Sequence, residues 1–129
     1  VTLSDQGWDT HGDRNGASAR RKMSSAIIPG LNTFLTRMVQ DTTRNVVVAI
    51  IGDFARSLPG SDHQPNLSAT LIGKYVKQGT TGKTAQGAVS LSANTPGIPG
   101  FWSLLGTVTR PTTSPFGANQ HPSLVLPTT

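Results

Sequence analysis

The sequence predicts an α/β chain that supplies part of a sheet, loop-rich and incomplete on its own, and three observations carry that expectation. Val46-Val47-Val48-Ala49-Ile50-Ile51 is a continuous apolar run, mostly β-branched, with the length of a strand. Apolar residues recur at helical spacing at Met23, Ile27, Leu31, Leu35 and Met38, with Phe34 alongside. A strand apolar throughout is expected to be buried on both faces of a parallel sheet, yet no second run matches it. The rest of that sheet is therefore expected from a missing segment or a partner chain.

In chain order, residues 1–16 read as a polar loop around Trp8. A helix follows over residues 17–40. Pro29-Gly30 inside it predicts two pieces or a kink, because proline lacks the N–H and crowds the preceding turn. Arg20-Arg21-Lys22 reads as a solvated first turn. Gly52 ends the strand and a turn-rich loop begins. Leu67 to Val76 fits a short helix or a strand equally. Residues 77–100 read as irregular, with one short strand at Ala88 to Leu91. Phe101 to Val108 is amphipathic and helical. From Pro111 the chain carries Pro115, Pro122 and Pro127 as well, and is expected to run extended over a surface. This divides the chain into a body, 1–110, and a Pro-rich tail, 111–129.

Composition narrows the functional classes. The 129 residues suffice for one domain or part of one. Only 13% are charged, and the net charge of +5 reflects few acids, six Asp and no Glu. Such a balance favours anionic partners through attraction that salt weakens. With no Cys, disulfides, thiolate metal sites and a cysteine nucleophile are excluded. No run approaches the ~18 apolar residues of a membrane span. The opening Val1-Thr2-Leu3-Ser4 reads as chain entered in mid-course, so a processed or truncated product is expected. The bases are scattered without interleaved aromatics, which offers nucleic acid neither a stacking platform nor a reading helix.

The chemistry concentrates in two polar segments. In Asp9-Thr10-His11, residues two apart on an extended loop face one side and can reach one ion. Carboxylate with neutral imidazole suits zinc, manganese or iron. The alternative is a capping or turn role for Asp9. Asp53 sits just past the strand end, where ligand sites gather in open α/β sheets, although an Asp there also caps turns. Asp62-His63 follows the Pro59-Gly60 turn and can serve one or two ions, or lie on the surface. Arg56, three residues past Asp53, can clamp an anionic substrate in a bidentate manner or pair with Asp53 or Asp62. His121 is expected at the surface. Gly79-Thr80-Thr81-Gly82-Lys83-Thr84 is not a phosphate loop, because Lys77 stands where its first glycine belongs. Ser57 and Ser61 lack the surroundings of a nucleophile elbow.

Gly7-Trp8-Asp9-Thr10-His11-Gly12 resembles the GWDTHG motif of the domain-of-unknown-function 1501 family, exported bacterial proteins of the alkaline phosphatase/sulfatase superfamily. That family continues with a strand ending in an SEFGR-like motif and then a Gly-x-Asp-His. Here the strand ends in Gly52-Asp53-Phe54-Ala55-Arg56, and Gly60-Ser61-Asp62-His63 follows. The closing Phe116-Gly117-Ala118-Asn119-Gln120-His121 is similar to the end of one branch. The resemblance covers nearly the whole chain in the right order.

The resemblance implies an alkaline-phosphatase-like sheet with flanking helices, of which residues 1–110 are the C-terminal portion. It implies export by the twin-arginine route to the periplasm or beyond. Two divalent metal ions, zinc, manganese or iron, would be held by Asp and His. Asp9, His11 and His63 would serve one and Asp53 the other, with Asp62 beside either. Two-metal chemistry lowers the pKa of a nucleophile and offsets charge on a transferring group. Asp53 stands where the family carries Glu, and Ala55 where it carries Gly. The nucleophile and an early metal-binding Asp belong to an N-terminal half outside these residues. The expected activity is phosphate- or sulfate-ester hydrolysis on an anionic substrate, if that half completes the site. The alternative is a non-catalytic exported structural subunit that self-associates through the strand Val46 to Ile51.

Overall fold

The computed structural model describes residues 6–9, 11–13, 15–52, 55–56, 63–64, 68–82 and 97–127. Over these the chain is mixed α/β. Its first helical stretch is α1 (Ala17–Lys22), a π-helical turn (Met23–Ile27) and α2 (Ile28–Gln40). Asp13 starts it. One carboxylate oxygen accepts the Ser18 N–H at 3.1 Å and the other the Ala19 N–H at 3.0 Å, satisfying donors that a helix start leaves open. Gly16, at φ 69°, makes the turn into the first helical residue.

The backbone bonds from Ala19 and Ser18 hold the Asp13 carboxyl below its ordinary value of 3.8. A carboxyl depressed by folding stabilises the fold above its unfolded pKa, and that contribution fades as pH falls through the lower folded value. Amide protection factors at Ser18 and Ala19, the observed exchange corrected for the intrinsic rate at each pH, are therefore expected to fall on acidification below pH 3.8, and an Asp13→Asn variant to lose that pH response.

Pro29 explains the π-turn. It has no N–H for the Ser25 carbonyl, and its ring would crowd that group in a regular helix. The chain widens one turn early, with the Ile28 N–H reaching the Met23 carbonyl five residues back. The Ser24 and Ser25 hydroxyls both donate to the Arg21 carbonyl. Thus the interruption expected at Pro29-Gly30 is taken up by an inserted residue, and the helical path continues to Gln40.

The strand expectation needs correction in its surroundings. β1 (Val47–Ile51) is a strand, but it pairs antiparallel with β4 (Ala69–Gly73), from Val47 opposite Gly73 to Ile51 opposite Ala69. Among the described residues the sheet has these two strands, and Ile50 and Ile51 are exposed. β-Branched composition favours extended backbone, whereas strand direction and burial depend on which segment returns alongside. Of the stretch Leu67 to Val76, open between helix and strand, Ala69–Gly73 is a strand, β4. A second short ribbon joins β2 (Ala55–Arg56) and β3 (His63–Gln64), also antiparallel. Ala88 to Leu91 lies outside the described residues.

The apolar core of the described residues sits on α3 (Gly97–Thr109), which touches both β1 and β4. Leu104 and Val108, one helical turn apart, are its buried side chains. The helix begins four residues earlier than its amphipathic pattern indicates. Its end is tied to the strand entry, where Asn45 Nδ2 donates to the Val108 and Thr109 carbonyls at 2.9 and 3.1 Å. The following loop folds back onto it. A Cβ on Gly106 would lie 2.7 Å from Ser114 Oγ and 2.9 Å from Phe116 Cδ2, so the close approach requires glycine. The Trp102 and Phe116 rings meet at 5.4 Å. Ser103, fully buried, donates to the Gly100 carbonyl and accepts the Gln120 N–H.

The tail does more than run over a surface. His121, expected to be exposed, is buried. After a 3-10 turn (Pro122–Leu124), Val125 bridges Val76. The Lys77 N–H donates to the Leu124 carbonyl, and the Leu126 N–H to the Tyr75 carbonyl, each at 2.9 Å. Two ladder bonds make the tail an extension of the β4 exit. Among the described residues, no helix is long and apolar enough to cross a membrane.

Candidate metal site

The loop that carries Asp9 and His11 is held at both ends by the first helix. At its start, Lys22 Nζ lies 4.4 Å from the centre of the half-buried Trp8 ring and donates to the Gln6 carbonyl. At its finish, Asp13 caps α1. Gly7, at φ 77°, turns the backbone between the Gln6 and Trp8 contacts. Asp13, in the same polar segment as Asp9, is thereby committed to the helix.

Within this frame Asp9 and His11 are in direct contact. Asp9 Oδ1 accepts the His11 backbone N–H at 3.1 Å and lies 2.5 Å from His11 Nδ1. A carboxylate on Nδ1 fixes the ring's orientation and favours the tautomer whose Nε2 carries the lone pair. Carboxylates hold metal-ligating histidines in this way. Both side chains are largely exposed, 77% for Asp9 and 57% for His11. Arg20, Arg21 and Lys22 follow in the last turn of α1, so the loop stands near a cluster of positive charge.

The β2–β3 ribbon sets the Arg56 backbone opposite that of His63. Two positions seven residues apart in sequence thus become neighbours across one ladder step. Asp53 and Asp62 lie outside the described residues. Among the described residues, no group of three or more His, Cys, Asp or Glu side chains converges in metal-binding geometry. Asp9 and His11 are brought together, and the donor chemistry of one carboxylate and one imidazole suits zinc, manganese or iron.

The sequence reading missed Arg110 and Tyr75. Arg110 is non-glycine at φ 54°, and its guanidinium carbon lies 3.4 Å from the centre of the Tyr75 ring. One signal was available: a residue before proline, here Pro111, is disfavoured in the helical region, so α3 must stop at its threshold.

Comparison of the chain with protein-family models, with curated proteins and with solved structures finds no match in any of the three.

Proposed function

We propose that the chain is part of a metal-binding, hydrolase-like protein acting on phosphate or sulfate esters, with an alkaline-phosphatase-like architecture. The observation that carries this reading is the Asp9–His11 contact, a carboxylate on imidazole Nδ1 within a Gly-Trp-Asp-Thr-His-Gly segment. Asp9, His11 and His63 would serve one divalent ion, Asp9 through its bond to His11 Nδ1, and Asp53 would serve a second, with Asp62 beside either. Such ions supply Lewis acidity and lower the pKa of a nucleophile. Asp9 orients the His11 ring, and Arg56 is assigned to the anionic part of the ester. The nucleophile would come from outside these 129 residues. The twin-arginine route and a periplasmic or extracellular location belong to the same proposal.

The test is the metal content of the purified chain by plasma mass spectrometry after dialysis against metal-free buffer. Near-stoichiometric zinc, manganese or iron, lost in a His11→Ala variant, is the expected result. A chain that retains no metal, or a variant that retains it undiminished, would sink the proposal.

A second reading, a non-catalytic exported subunit that self-assembles, draws on one observation. β1 has β4 as its ladder partner in a two-stranded sheet, with Ile50 and Ile51 exposed. An apolar strand whose second edge has no partner among the described residues is a template for a second copy. Light scattering after size exclusion decides it, since a strictly monomeric folded chain excludes assembly.

A further inference from the structure

The end of α3, the loop after it and the tail enclose an open groove of about 550 Å³, within the size range of small-molecule sites. Arg110 forms part of its wall, with Thr107 and Ser114 supplying hydroxyls nearby and Val125, Leu126 and Pro127 an apolar side. Arg110 is held in an unusual way. The helix must stop before Pro111, and Arg110 takes the left-handed conformation that glycine usually fills at a helix end. Its guanidinium lies over the Tyr75 ring and donates to the Leu126 carbonyl at 3.4 Å. Stacking leaves the N–H edge of a guanidinium available for a planar or tetrahedral oxyanion.

A second cation faces the same ring, with Lys74 Nζ 5.5 Å from the Tyr75 centre. Among the described residues neither Arg110 nor Lys74 pairs with a carboxylate, and the sequence after Asp62 contains no Asp or Glu. Both cations thus contact one tyrosine in an acid-free half of the chain, and an anion held on Arg110 would offset positive charge that no carboxylate among the described residues offsets.

We propose that the Arg110 groove binds a small organic anion, its phosphate, sulfate or carboxylate head on Arg110 with Lys74 nearby and its apolar body against Val125, Leu126 and Pro127. This site uses none of the metal-ligating residues, so it stands or falls independently of the hydrolase reading.

The experiment is calorimetric titration of the full chain with phenyl phosphate, in chelator, at two salt concentrations. Benzyl alcohol serves as the neutral counterpart. Binding of phenyl phosphate that weakens with salt, and much weaker binding of benzyl alcohol, is expected. Arg110→Gly removes the guanidinium while supplying the residue best suited to φ 54°, so the helix end is retained. It is expected to weaken phenyl phosphate binding roughly ten- to hundredfold, the range of a charge-assisted hydrogen bond. Lys74→Gln, at an exposed position, is expected to weaken it roughly two- to fivefold. His11→Ala is expected to leave it unchanged, which separates this site from the metal site. No binding by the parent chain, equal binding of benzyl alcohol, or undiminished binding by both Arg110→Gly and Lys74→Gln would overturn the proposal.

Discussion

Replacing Leu104 by alanine is expected to destabilise the α3–sheet unit by about 2–5 kcal/mol, the usual cost of truncating a buried leucine. Leu104 is 6% exposed, and one turn along the helix Val108 is fully buried. Together they are the buried apolar side chains of the described core, so little surrounding material can relax into the cavity. A loss of that size is a large share of the 5–15 kcal/mol that usually separates folded from unfolded states. Because α3 also anchors Asn45, Gln120 and the Phe116 loop, these contacts should go together with it. Urea unfolding followed by tryptophan fluorescence measures the effect as a lowered midpoint at similar slope. Ile98→Ala is the control, at 56% exposure on the same helix, and is expected to change stability by no more than about 0.5 kcal/mol. Equal losses in the two variants would remove the distinction between core and surface on α3.

Asp9→Asn is expected to lower zinc affinity roughly ten- to hundredfold while leaving the helix intact. The amide keeps the size of the carboxylate but carries no charge, and it cannot stabilise His11 through Nδ1 to the same degree. Asp13→Asn provides the reverse pattern. Asp13 spends both oxygens on Ser18 and Ala19, so its loss should fray the start of α1 and leave zinc affinity nearly unchanged. Competition with a chromogenic zinc chelator reads affinity, and far-ultraviolet circular dichroism reads the helix. Should the two variants behave alike, the loop would be acting only through its folding, and Asp9 would lose its assignment as the group that orients His11.

Much of the local structure was legible because it rests on short-range physics. Helical spacing located residues 17–40, since side chains three and four apart must share a face. The same principle located most of α3, although its first turn, Gly97-Ile98-Pro99-Gly100, reads as loop by composition. Pro29 announced a disturbance through its missing N–H, but not its form. The π-turn is one of several ways to vacate that bond, and context selected it. At the candidate site, spacing two apart left Asp9 and His11 open between a shared ion and a turn role for Asp9; the two side chains are in contact, and Asp9 also takes the turn role by accepting the His11 N–H. Spacing could not reveal that the carboxylate takes Nδ1, since loop conformation sets that geometry.

What the sequence determined by itself is the extended backbone of Val47–Ile51, the helical path from Ala17 to Gln40, the absence of thiol chemistry and the excess of positive charge. These follow from side-chain shape, spacing and ionisation, which each residue carries wherever the chain goes. Only the tertiary structure decided that β1 runs against β4 with Ile50 and Ile51 exposed, that His121 is buried, and that the tail bonds to Tyr75 and Lys77. It alone set Arg110 against Tyr75, thirty-five positions apart in sequence. Strand direction, burial and long-range stacking depend on which distant segments return to meet, and no local preference encodes that meeting.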